Sequence, residues 1–139
     1  GQYQVSGQIK AALKEEFWGG FCGEEETTAA IAENYKKGYL IDTHTAVAAS
    51  VMEQYRRETG DQTVTVFVST ASPYKFCNHV LTAIGEAPAG DGVELLDQRN
   101  AATGVTVPRR LAALKGKQRR FDLTCEKAGM DDVVLEFLK

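Results

Sequence analysis

The side chains of this sequence best placed for chemistry are small hydroxyls. Ser69, Thr70 and Ser72 lie in VFVSTASPYKF, Val66 to Phe76, where an apolar, β-branched run stops on Ser-Thr and Ser-Pro follows. In α/β proteins, ligands sit beyond the carboxyl ends of the strands. A helix opening at Ser72 would point its free backbone N–H groups into the same space. Hydroxyls and amides so placed can hydrogen-bond an anion or a neutral ring nitrogen, but they supply no strong acid or base. The same residues also suit structural work, Ser72 as a helix cap and Thr70 as the turn of the chain. Spacing alone leaves both readings open.

The other reactive residue types carry weaker signals. Cys22, Cys77 and Cys125 are odd in number and far apart. A structural zinc site needs closely spaced ligands, so these three read as buried or semi-buried free thiols in a reducing compartment. His44 and His79, the only histidines, share no metal-ligand spacing with a carboxylate or cysteine, and no metal is expected. No G-x-S-x-G elbow is present to recruit His44 into a Ser-His-Asp arrangement. Six basic residues and no acid fall between Arg109 and Arg120. They could meet phosphate groups, but a run of this kind more commonly forms a solvated helix face.

Helices and short strands must position these groups. Ser6 caps a helix over 6–17 in which Ile9, Leu13 and Phe17 recur at four-residue spacing. A second helix starts at Glu24–Glu26, where the helix dipole favours acids, and ends at Lys36, Lys37 and Gly38. Tyr39 to Ile41 reads as a short strand or extended link. Asp42 or Thr43 caps a third helix that ends at Gly60, and its small residues from Ala46 to Ser50 predict close burial at its start. Thr63 to Thr70 alternates β-branched and aromatic residues and is the strongest predicted strand, apolar or neutral on both faces as in a covered parallel sheet. A helix from Ser72 to Ile84 follows, with Pro73 at its first position. Residues 91–102 and 108–115 read as helical, 122–125 as a short strand, and 130–138 as an amphipathic helix.

The expected fold class is therefore α/β: a helix-rich segment with one strong strand and two or three weak ones. So few strands cannot make a covered parallel sheet, which suggests a piece of a larger α/β enzyme. The 139 residues fit one domain or part of one. At 43% hydrophobic and 25% charged, the composition is that of a globular chain. A net charge of −3 argues against nucleic acid or an acidic membrane as partner. No apolar run is long enough to span a bilayer, and the opening residues GQYQVSGQIK lack a signal-peptide pattern.

Two elements, GYLIDTHTAVAASV and VFVSTASPYKF, resemble the C-terminal part of the threonine synthases, a family of fold type II enzymes dependent on pyridoxal phosphate. Members carry G-Y-x-x-D-P-H-T-A-V followed by a strand ending in [ST]-T-A-x-P-x-K-F. FWGGFCGEEETTAAI and VVLEFLK are similar as well, so the likeness covers nearly all of residues 1–139. The resemblance implies the conversion of O-phosphohomoserine and water to L-threonine and phosphate in the cytoplasm. It implies that Thr70, or its neighbour Ser69, faces the pyridine nitrogen of the cofactor. Asp42, His44 and Thr45 match D-x-H-T at the edge of the active site, with Thr43 where many members have proline. Ser72 stands beside them, at a position that is histidine in some relatives. His44 could equally be a helix-start histidine bonded within the fold.

The family's Schiff-base lysine, in an S-F-K-D-like motif, and its cofactor-phosphate loops have no match in these residues, and Lys75 belongs to P-x-K-F. This segment is thus expected to hold no catalytic residue, to be inactive alone, and to partner the N-terminal half of the same enzyme. A piece of sheet without its neighbours would also tend to self-associate. Two alternatives remain: a segment of another fold type II enzyme, or a stand-alone α/β binding module.

Overall fold

A computed structural model describes residues 2–90, 92–118, 120–121 and 123–139. Helices α1 (Gly7–Glu16), α2 (Glu24–Lys36), α3 (Thr43–Thr59), α4 (Cys77–Ala83), α5 (Leu95–Thr103), α6 (Arg109–Ala112) and α7 (Met130–Phe137) follow in chain order. Single 3-10 turns at Pro73–Phe76, Gly92–Glu94 and Lys127–Gly129 lead into α4, α5 and α7.

The expected α/β class is overturned: the described residues contain helices and no β-strand. The reason is pairing. A strand is defined by its ladder, and no other described segment lies beside Thr63–Thr70 to complete one. Val64, Val66 and Val68 are 90%, 84% and 82% exposed. Tyr39–Ile41 is the link between α2 and α3, with Ile41 buried and Tyr39 facing out. Leu123 to Cys125 form no regular element, and Asp122 lies outside the described residues.

The core lies among α2, α3, α4 and α5. Ile31, Ile41, Ala46, Val80 and Ala83 make one buried cluster, and Tyr74, Cys77, Leu81, Leu95 and Leu96 make the second. Ile84 packs against both. Small residues at the start of α3 permit this approach, as expected, and Thr45 and Ala46 are buried there. Gly60 closes α3 at φ +73°, a left-handed conformation that suits glycine. By contrast, α1 and α7 bury no residue, so Phe17 at the end of α1 and Val134 and Phe137 on the apolar stripe of α7 are exposed.

The predicted helix from Ser72 to Ile84 begins as a 3-10 turn, and the α-helix proper starts only at Cys77. The predicted helix over 108–115 shortens to one turn of α-helix. In the basic run, Arg109, Arg110, Lys115, Lys117 and Arg120 are exposed, and Arg119 lies outside the described residues. Lys115 pairs with Asp97 of α5.

Candidate functional site

Segment 65–69 runs antiparallel to α3. Thr65 Oγ1 meets Met52 Sδ at 3.7 Å and accepts from Arg56 Nη2 at 3.5 Å. Phe67 shares a hollow with Ala49, Ser50 and Glu53. Ser69 Oγ lies 2.8 Å from Thr45 Oγ1. Alternate residues 65, 67 and 69 thus descend the helix toward its N-terminus, which is the period-two pattern read from the sequence. One face of the segment is laid on α3 and the other, with the three valines, is open.

The contact at Ser69 leads to Asp42. This residue is fully buried and caps α3, its Oδ1 accepting the backbone N–H of His44 at 2.9 Å. The same oxygen lies 3.2 Å from His44 Nδ1. Its Oδ2 accepts from the Thr45 hydroxyl in a short bond and lies 3.4 Å from Ser69 Oγ. Burial pushes this carboxyl up, but the Thr45 hydroxyl, the backbone N–H groups of His44 and Thr45 and the His44 ring outweigh it, so Asp42 titrates below its ordinary value of 3.8. One carboxylate therefore ties Asp42, His44 and Thr45 to Ser69 across 27 residues of chain.

Proton directions follow from this geometry. A carboxylate only accepts, so Thr45 donates to Asp42. Thr45 has one proton, so Ser69 must be the donor in the bond between them. The other acceptors within reach of Ser69, Asp42 Oδ2 and the Ala71 carbonyl at 3.4 Å, also lie within the chain. The Ser69 hydroxyl proton is committed inward. Thr70 is exposed and has no hydrogen bond among the described residues.

Ser72 is occupied as a cap. Its Oγ accepts the Tyr74 N–H at 3.2 Å, and its carbonyl accepts the Lys75 N–H at 2.9 Å. The free helix amides expected at this point are consumed by the turn itself. Of the expected site residues, the fold gathers Asp42, His44, Thr45 and Ser69, sets Thr70 beside them, and gives Ser72 to the backbone.

Other features had no clear signal in the sequence. His44, Cys22, Glu24, Phe76 and His79 line one open hollow of about 300 Å³ between α2, α3 and the start of α4. The His44 and Phe76 rings lie 5.1 Å apart at 46°. Among the described residues no three His, Cys, Asp or Glu side chains are set to hold a metal ion. Arg99 of α5 is fully buried over the Tyr74 ring, its guanidinium carbon 3.7 Å from the centroid and its three nitrogens without an acceptor. Its place one turn after Leu95 and Leu96 was the only hint of such burial. The three cysteines are free, but Cys125 is exposed instead of buried or semi-buried. No helix among the described residues is long and apolar enough to cross a membrane.

A helical layer thus carries a hydroxyl and carboxylate cluster on one side and an open valine face beside it. Comparison with known proteins gives this arrangement its family. Residues 45–134 match the family described as threonine synthase, C-terminal. Human threonine synthase-like 1 is 32% identical over 84 residues, 59% of this chain and 11% of that protein. Threonine synthase of Corynebacterium glutamicum is 38% identical over 80 residues, 57% of this chain and 16% of that protein. Mouse threonine synthase-like 1 is 35% identical over 75 residues. The chain belongs to the threonine synthase C-terminal family, with Thr45, Ser69, Thr70 and Ser72 inside the matched range and Asp42 and His44 just before it. The matches span a small part of the length of these relatives.

Proposed function

We propose that residues 1–139 form the C-terminal segment of a cytoplasmic, pyridoxal phosphate-dependent threonine synthase and supply one wall of its cofactor site. The whole enzyme would convert O-phosphohomoserine and water to L-threonine and phosphate. The N-terminal part of the same enzyme would bring the lysine and the phosphate cradle. Bound pyridoxal phosphate supplies an electron sink for charge that develops on substrate carbons.

The observation that carries this reading is the contrast between two adjacent hydroxyls. The Ser69 proton is held by Thr45, while the exposed Thr70 hydroxyl is free to donate. The residues present therefore fit an acceptor such as a pyridine nitrogen, with Thr70 as its donor. A neutral hydroxyl partner leaves such a nitrogen largely unprotonated and so moderates the sink. Ser69, Thr45 and Asp42 support Thr70 by fixing the chain before it. A second reading, in keeping with relatives named threonine synthase-like 1, is a related enzyme of the same cofactor class.

The test is Thr70→Val in the complete enzyme. Turnover should fall well beyond any loss of stability, and unchanged turnover would remove Thr70 from the site. The isolated chain should release no phosphate from O-phosphohomoserine and give no lysine-bound cofactor absorbance.

A further inference from the structure

The ring of His44 is oriented by a buried carboxylate and open at its far edge. Asp42 is 0% exposed and the His44 side chain 62% exposed. Asp42 Oδ1 accepts the His44 backbone N–H at 2.9 Å and stands 3.2 Å from Nδ1. Because the carboxylate cannot donate, the proton of the neutral ring belongs on Nδ1 and the lone pair on Nε2. The Thr43 hydroxyl also approaches Nδ1, but at 3.5 Å, and it can accept from the same N–H. Phe76 packs against the ring. Beyond it lies the hollow shared with Cys22, Glu24 and His79, the titratable groups that α2, the stretch before it and α4 bring to His44.

We propose that His44 is a catalytic proton acceptor, taking a proton at Nε2 from a hydroxylic ligand, water or an alcohol, bound in this hollow. Asp42 is its positioning residue. The ligand O–H bond breaks, its electron pair stays on oxygen, and the proton forms the new N–H bond at Nε2. The imidazolium is then held against the Asp42 carboxylate, so no oxidant or further reactant is needed. Thr45 donates its hydroxyl proton to Asp42, and Ser69 donates to Thr45, which keeps that carboxylate ionised and in place. The inference rests on the reading that this wall faces the active site, but the tautomer it requires does not.

The test is made on the complete enzyme, labelled with ¹⁵N-histidine. At a pH where the ring is neutral, nitrogen shifts should show His44 protonated on Nδ1, and Asp42→Asn should lower that population. A wild-type ring protonated on Nε2 overturns the proposal whatever the enzyme does. Next, His44→Asn, which keeps a donor for Asp42 and lacks a base, should lower kcat by about 100-fold or more, the usual span of proton-transfer catalysis, with KM and cofactor absorbance unchanged. His44→Gln should be equally slow. Unchanged kcat in either folded variant overturns the role. If Thr70→Val is also without effect, the site reading fails; if only the His44 variants are silent, His44 alone fails.

Discussion

Thr45 Oγ1 and Ser69 Oγ lie 2.8 Å apart, and through this contact the start of α3 holds the end of the valine-rich segment. Thr45→Val keeps the shape and removes the bridging hydroxyl. The buried Asp42 Oδ2 then loses its close partner, a cost of about 1–3 kcal/mol, while the exposed Ser69 loses its acceptor. The urea midpoint should fall without a change in slope. In a double-mutant cycle with Ser69→Ala the two losses should not add, because both variants break the same chain of bonds. Additive losses would show that the contact contributes nothing.

Acid should release the same cluster. The Asp42 carboxyl titrates below 3.8, because the donors around it outweigh its burial. Asp61 is also lowered, by the Thr63 hydroxyl, the Thr63 backbone N–H and Tyr55. Between the depressed folded values and the ordinary unfolded value of about 3.9, the unfolded chain binds more protons, so stability rises with pH there. The contribution is complete above the unfolded value and is lost as pH falls through the folded one. Helical circular dichroism on acid titration should show this, and Asp42→Asn should make the acid limb shallower.

Much of the helical order was legible in the sequence because local chemistry writes it. The Ser6, Asp42 and Ser72 caps and the Gly60 terminus are all formed by side chains or φ values that the residues themselves favour. The sheet was misread because a strand is a relationship between segments, and the period-two pattern of Thr63–Thr70 reports faces, not a ladder. The site was half legible. Motifs brought Asp42, His44, Thr45, Ser69 and Thr70 to attention, but the link between Thr45 and Ser69 spans 24 residues and exists only in the folded chain. The role of Ser72 in the turn shows the converse, a local bond overruling the expected open helix end.

The thiols should react in order of burial. Cys77 is buried, donates to the Tyr74 carbonyl at 3.2 Å, and has its thiol pushed up by burial, with the nearby Arg99 charge offsetting part of that. The thiolate is the nucleophile, so alkylation at neutral pH should mark Cys125 first, Cys22 next and Cys77 only on unfolding. Rapid labelling of Cys77 in the folded chain would contradict the packing of α4 on α5.

Arg99 should be replaceable by a side chain of similar length and no charge. Burial lowers the pKa of its guanidinium, whose nitrogens have no acceptor. Stacking on Tyr74 returns about 2 kcal/mol, against a desolvation cost of several kcal/mol. Arg99→Met should therefore leave the thermal midpoint unchanged or raise it. Arg99→Ala should lower it, since an unfilled space under Tyr74 adds a cavity cost of about 2–5 kcal/mol. A large loss in Arg99→Met would mean that the charge has a partner.

Val66 separates the behaviour of residues 1–139 alone from that of the complete enzyme proposed above. It is 84% exposed, flanked on the same face by Val64 and Val68, with no ladder partner among the described residues. An open apolar face on an extended, unpaired segment of this kind recruits other chains, and lysine is a common natural guard against it. Sedimentation of the isolated chain should show concentration-dependent association that Val66→Lys weakens. In the complete enzyme the same substitution should have the opposite sign. If the remainder of the enzyme covers this face, a lysine there buries an unpaired ammonium and lowers stability. Equal stability of the wild-type and Val66→Lys enzymes would show that the face stays open to solvent.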